Sequence, residues 1–302
     1  MAREWFAKYE PTLSEKHAKK LRRYLENTIF PAIGGKPVTQ LEPADFLQIV
    51  QPSERLGHHE TAHKLMRLCG QVTRYARITG RVKYDVAAGL TEALTPVQTT
   101  HFAAVTLPDD IGQLLRDIDA YVGYTSVVYC LKILPYVFTR PSELRLAHWS
   151  EFDFKNVTWI IPASRMKMRR EHVVPLSKQV LVLLNELHAY TGNGELLFPS
   201  ARALTTPISD AAPLAALRRM GYSKETMTLH GFRAMASTRL NELGFRADVI
   251  EAQLAHKEPD TVRLAYNRAE YMDERCRLMQ AWADYLDGLR AAIQQKRIRE
   301  EA

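Results

Sequence analysis

The 302-residue sequence has only three cysteines, no uninterrupted apolar run of bilayer length and no glycine-rich nucleotide-phosphate loop. Each absence removes a class of function. Cys69, Cys130 and Cys276 are odd in number and far apart, so neither a disulfide framework nor zinc-ligand spacing can be built from them. Reduced thiols in a cytoplasmic protein are expected. A membrane-spanning helix needs about 20 apolar residues, and none is present. The opening "MAREWFAKYEPTLSEKHAKK" carries charge from its third residue and lacks the apolar centre of a secretory signal. "GGKP" at Gly34–Pro37 places a proline after the lysine, unlike a lysine that opens a phosphate-cradling helix. No acidic cluster suited to magnesium is recognisable. These features lead us to expect no cofactor, no metal and no membrane partner.

What is there is positive charge, unevenly spread. The net charge is +7, and residues 1–100 hold 15 Lys and Arg against 10 Asp and Glu, whereas the remaining 202 hold 26 against 24. A basic balance favours a polyanionic partner. Segments 14–28, 42–50 and 58–79 have helical periodicity, and turn residues accumulate before residue 108. The division is therefore 1–95, a linker over 96–107, and 108–302. Residues 61–83 contain six Lys or Arg and no acid. At about 100° per residue, Lys64, Arg67, Arg74, Arg77 and Arg81 share one side, with Leu65, Leu68, Cys69, Val72, Tyr75 and Ala76 largely opposite. A solvated face usually mixes signs, so this single-sign stripe is expected to be unneutralised and to meet a phosphate backbone.

In the second part the period changes. "TWIIPA" and "EHVVPL" read as two strands joined by the basic connection "SRMKMRR", where Lys167 sits among Arg165, Arg169 and Arg170. Just upstream, "RPSEL" sets Arg140 and Glu143 three apart. Downstream, "TLHGFRAMASTRLNELG" reads as a helix closed by Gly244, with His230 and Arg233 as neighbours on its first turn. "LAHK" then supplies His256, and "AYNR" supplies Tyr266 ten residues later. Taken singly these are a surface ion pair, a basic loop, a capping histidine and a packing tyrosine. Together they form a kit for metal-free phosphoryl transfer. Two arginines clamp phosphate oxygens, a tyrosine attacks phosphorus, a lysine protonates the leaving alkoxide, and histidines orient or move protons.

The ordered series RPSEL, hairpin lysine, HGFR, LAHK and AYNR resembles the tyrosine recombinases, or phage integrases. "RMKMRREHVVPLS", "HGFRAMAST" and "MQAWADYLD" resemble the satellite-phage and genomic-island branch, and the likeness extends over about residues 1–288. The resemblance implies a mainly α fold with a small antiparallel sheet, arranged as a two-domain C-shaped DNA clamp. Residues 1–95 would be a helical core-site-binding domain and 108–302 the catalytic domain. It further implies that Arg140 and Arg233 bind the scissile phosphate and Lys167 acts as general acid. His230 assists proton transfer, His256 bonds the phosphate, Tyr266 is the nucleophile, and Glu143 orients Arg140. Arg165, Arg169 and Arg170 join the α-helical stripe as DNA contacts.

The implied partners are double-stranded attachment sites and a homotetramer on two sites, monomeric or weakly associating without DNA. An excisionase and a host DNA-bending protein are candidate partners, and the location is the cytoplasmic nucleoid. The stripe Met272, Cys276, Met279, Ala283 and Leu286 is expected to dock on a neighbouring protomer. Members of the branch carry a further amino-terminal domain for arm-type sites, so a truncated piece or a short form is expected. Two rivals share parts of this kit: a type IB topoisomerase-like relaxing enzyme, and a non-catalytic regulator derived from a recombinase.

Overall fold

The computed structural model describes residues 1–98, 102–166, 169–255 and 271–300, the last eight by backbone alone. The chain divides into two compact units, Met1–Thr100 and His101–Ala302. Among the described residues no helix is long and apolar enough to cross a membrane.

The first unit is helical: α1 (Ala2–Tyr9), α2 (Glu15–Tyr24), a short α3 (Phe30–Ile33), α4 (Pro43–Arg55) and α5 (His59–Ile78). A π-turn over Leu25–Ile29 joins α2 to α3 and turns Leu25 and Ile29 into the core. Pro43 opens α4, and Asp45 Oδ2 accepts the Glu42 backbone N–H at 2.7 Å, so the helix begins with its free donors partly satisfied. The helix runs past residue 50 and through Pro52 to Arg55, because Phe46, Ile49 and Val50 have anchored its inward face before the proline arrives. Leu65, Met66, Leu68 and Cys69 of α5 are buried against them. The Cys69 thiol is pushed up to about 12 by burial, which leaves it inert.

The second unit begins before its first helix. Residues 103–105, expected in the linker, are built into it: Ala103 O accepts the Thr228 backbone N–H at 3.1 Å and Val105 is buried. α6 (Pro108–Ala120), α7 (Thr125–Val137) and the five-residue α8 (Pro141–Arg145) follow. Then comes an antiparallel sheet in the order β1 (Phe152–Asp153), β2 (Thr158–Ile161), β3 (His172–Pro175). Trp159 pairs with Val174 and Ile161 with His172, so alternate residues face inward and Trp159 and Ile161 are wholly buried. After α9 (Lys178–Thr191) a two-stranded hairpin, β4 (Pro199–Ser200) and β5 (Ala203–Pro207), precedes α10 (Ala211–Arg219), α11 (Gly231–Glu242), α12 (Ala247–Gln253) and α13 (Met272–Glu300).

α13 packs within its own unit, against α6. A Cβ on Gly112 would lie 2.5 Å from Leu289 O, so only glycine admits this approach. Leu278, Met279, Trp282, Ala283 and Leu286 are buried, while Cys276 is exposed. The expected docking stripe is therefore rotated from its sequence reading. Met279, Ala283 and Leu286 belong to the unit's own core because Trp282, an indole that donates to Pro135 O at 2.9 Å, sets which face turns inward.

Candidate active site

Four chain segments converge through their main-chain carbonyls. α7 ends at Phe138, whose left-handed backbone (φ 36°) turns the chain while its ring stays in the core, edge-on to Trp282. Two residues later Arg140 caps α8. Pro141 fixes the first turn, which brings Glu143 back onto Arg140. Glu143 Oε2 accepts the Arg140 backbone N–H at 2.9 Å and Oε1 accepts Nη1 at 2.7 Å. The carboxylate is buried, so the pair is well shielded from solvent. Arg140 Nη2 also donates to Ala255 O at 3.3 Å.

Thr228 and Gly231 set the start of α11. Gly231 has no room for a side chain, since a Cβ would lie 2.4 Å from Ala103 O. This accounts for the glycine of "HGFR". His230 caps the helix, its ring stacked on Phe102 with centroids 4.7 Å apart. Partial burial, followed by the charges of Arg233 and Arg140, holds the imidazole below its ordinary 6.5. Arg233 is buried, and donates from Nη1 to Phe138 O at 3.1 Å and from Nη2 to Leu254 O at 2.6 Å. Burial and the nearby Arg140 charge lower it to about 10, which leaves it cationic at neutral pH.

Two groups that sequence reasoning did not single out complete this neighbourhood. His172 of β3 is buried with Nε2 3.1 Å from Gln253 O, and burial plus the Arg275, Arg233 and Arg140 charges lower it to about 3. Arg275, on the first turns of α13, is 2% exposed and donates from Nε to Gln253 Oε1 at 2.9 Å and from Nη2 to Val173 O. The sequence signal for Arg275 is limited to a basic residue three positions before Leu278, among the apolar residues of α13.

Of the expected catalytic set, the structure gathers Arg140, His230 and Arg233, with Glu143 behind Arg140. Lys167, His256 and Tyr266 lie outside the described residues. Arg165, expected as a DNA contact, is held from within the protein: its guanidinium pairs with Glu151 and donates to Glu143 O at 3.0 Å. Arg169 and Arg170 are exposed.

The α5 stripe is likewise not free of acids. Lys64 pairs with Glu60 at 2.7 Å, Arg81 with Glu4 at 2.8 Å, and Arg74 approaches Asp85 at 3.9 Å. Glu60 is on the first turn of α5, just ahead of the acid-free window, Glu4 and Asp85 come from outside the helix, and Arg81, expected on the helical stripe, lies beyond the helix end at Ile78. Arg67, Arg74 and Arg77 remain exposed.

Residues 1–93 match the phage integrase central domain, and residues 105–272 match the phage integrase family. The integrase of Enterobacteria phage P4 is 39% identical over 303 residues, covering 95% of this chain and 68% of that protein. Prophage integrase IntA of Escherichia coli (strain K12) is 36% identical over 286 residues, covering 94% and 68% respectively. Among solved structures, a lambda integrase dimer bound to a COC′ core site has a TM-score of 0.65 at 16% identity, covering 87% of this chain and 76% of that one. A lambda integrase tetramer bound to a Holliday junction gives 0.65 at 15%, with 87% and 80% covered. Those two share the fold. The mainly helical unit with its small sheet, the gathered arginines of RPSEL and HGFR, and both family matches have one explanation: the chain belongs to the phage integrase family, in its phage and prophage branch, and is a tyrosine site-specific recombinase.

Proposed function

We propose that Arg140 and Arg233 hold the scissile phosphate of a DNA attachment site and that Tyr266 cleaves it. The observation that carries this reading is the pair of adjacent guanidinium groups. Each depresses the proton affinity of groups around it, and Arg233 is held down to about 10 by burial and by Arg140. Two neighbouring cations in a partly buried site are relieved by one anion, and a phosphodiester supplies two non-bridging oxygens for them. Glu143 keeps Arg140 in place.

In the reaction, the Tyr266 phenol oxygen attacks phosphorus and the bond from phosphorus to the 5′ oxygen breaks. Lys167 gives its proton to that oxygen, and His256 hydrogen-bonds the phosphate. His230, neutral at physiological pH because its pKa is lowered, takes part in removing the phenol proton. The product is a 3′-phosphotyrosyl ester and a free 5′ hydroxyl. Attack by a 5′ hydroxyl of the partner duplex reverses the chemistry and exchanges strands. Energy stays in the ester, so no nucleotide is consumed.

Residues 1–95 contribute affinity for core-site DNA through the exposed Arg67, Arg74 and Arg77, and Arg169 and Arg170 add contacts from the hairpin. Four protomers on two sites carry out the exchange in the nucleoid, inserting or excising a mobile element, with an excisionase and a host DNA-bending protein setting direction. The nucleophile provides the test. On a nicked suicide substrate, wild type and Tyr271→Phe trap a covalent adduct at the 3′ phosphate, whereas Tyr266→Phe binds and forms none. An adduct mapped by mass spectrometry to another residue overturns the assignment. A protein that relaxes supercoils but never recombines paired sites overturns the recombination reading.

A further inference from the structure

Three successive carbonyls close α12, and each accepts a hydrogen bond from a different basic side chain. His172 Nε2 is 3.1 Å from Gln253 O, Arg233 Nη2 is 2.6 Å from Leu254 O, and Arg140 Nη2 is 3.3 Å from Ala255 O. Carbonyls of a last helical turn lack intrahelical partners and form its negative end, so donors are expected there. The identity of the donors is the informative point. Two are the arginines assigned above to the phosphate, and the third is a histidine that the reaction has not used.

A carbonyl can only accept, so Nε2 of His172 carries the proton. The ring is neutral at working pH, since burial and three surrounding arginines hold it at about 3. It therefore donates without adding a further positive charge to a pocket that must balance one phosphodiester. Its own place is fixed. His172 pairs with Ile161 across β2 and β3, and the next residue, Val173, accepts from Arg275 through its carbonyl. Gln253 is thus tied to the sheet region twice, by its main-chain oxygen to His172 and by its side-chain oxygen to Arg275.

We propose that His172 is a positioning residue of the recombination site. By fixing the Gln253 carbonyl to β3, it sets the adjoining Leu254 and Ala255 carbonyls that orient Arg233 and Arg140. The proposal rests on the reading of those arginines as phosphate ligands. A planar guanidinium bound on one edge presents its remaining N–H groups in a fixed direction, so a small displacement of the carbonyl re-aims the clamp. Misplacement of a supporting group on this scale costs about 10-fold to 100-fold in rate.

The experiment is single-turnover adduct formation on the suicide substrate at saturating protein, with active-site titration, DNA affinity and thermal melting measured alongside. His172→Leu is expected to form adduct about 10-fold to 100-fold more slowly with site affinity unchanged. His172→Gln, whose amide nitrogen reaches the position of Nε2, recovers most of the rate, and His172→Asn, which falls short, stays slow. A structural role alone would lower melting temperature and the active fraction while leaving the first-order rate constant as in wild type. A His172→Leu rate constant equal to wild type, or His172→Gln as slow as His172→Asn, overturns the proposal. If His172→Leu does not fold, the glutamine and asparagine variants decide the matter. A wild type that forms no adduct refutes the reading of the reaction itself, a separate result from a normal wild type with indifferent variants.

Discussion

Acid should loosen the catalytic unit through His172, by an amount that can be worked out. The perturbation is a drop from pH 8 to pH 5. In the unfolded chain the imidazole has its ordinary 6.5, whereas in the folded protein burial, then the Arg275 charge, hold it to about 3 against the opposing Gln253 carbonyl, with Arg233 and Arg140 adding smaller lowering effects. The folded value is the depressed one, so this stability is fully present above pH 6.5 and is lost as the pH falls towards about 3. At pH 5, 1.5 units below 6.5, the loss at about 1.4 kcal/mol per unit is about 2 kcal/mol. With a urea slope of about 2 kcal/mol per molar, the midpoint moves down by about 1 M. Tryptophan fluorescence reads the unit, because Trp159 and Trp282 are wholly buried in it. His230 titrates in the same direction, so the decisive quantity is the difference between wild type and His172→Gln. The same fall in midpoint for both proteins between pH 8 and pH 5 refutes the reasoning.

Two other outcomes follow from the charged groups. Arg74→Ala with Arg77→Ala should lower the slope of log affinity against log salt by about 0.9 for each phosphate no longer neutralised, while Lys64→Ala and Arg81→Ala change it less because Glu60 and Glu4 already pair with them; binding titrations across salt check this, and an unchanged slope in the double variant removes the stripe from the interface. Lys167→Ala should slow cleavage of normal DNA and be rescued by a 5′-bridging sulfur, whose departure needs no proton, whereas Arg165→Ala should show no such rescue and instead lose about 1–3 kcal/mol of stability by stranding Glu151.

The parts legible in the sequence were those that local chemistry specifies. The change of period marked β2 and β3, and the 3.6 period marked α5 and α11, the latter followed by Gly244 with φ 81°. The pairing of Arg140 with Glu143 is an i,i+3 relation and could be read directly. Long-range partners could not. Arg165 looks the same as Arg169 in a basic run, and its partners Glu151, 14 residues away, and the Glu143 carbonyl, 22 away, distinguish it. The neutralisation of Arg81 depends on Glu4, 77 residues earlier. β4 and β5 escaped notice because most of β5 is exposed and has no alternation to detect. The role of His172, and part of that of Arg275, depends on main-chain carbonyls, which every residue possesses.

That last point bears on how such a site drifts. The acceptors seen for Arg233 are the main-chain oxygens of Phe138 and Leu254, and Ala255 lends its oxygen to Arg140. The side chains at 254 and 255 are therefore not what the arginines grasp: Leu254 packs in the core, and Ala255 takes a left-handed backbone (φ 49°) that aims its oxygen. Length is a different matter. Removing one residue from α12 would rotate its terminal oxygens by about 100° and withdraw them by about 1.5 Å. The segment should accordingly be intolerant of insertion or deletion, a constraint on spacing that no residue-by-residue motif expresses.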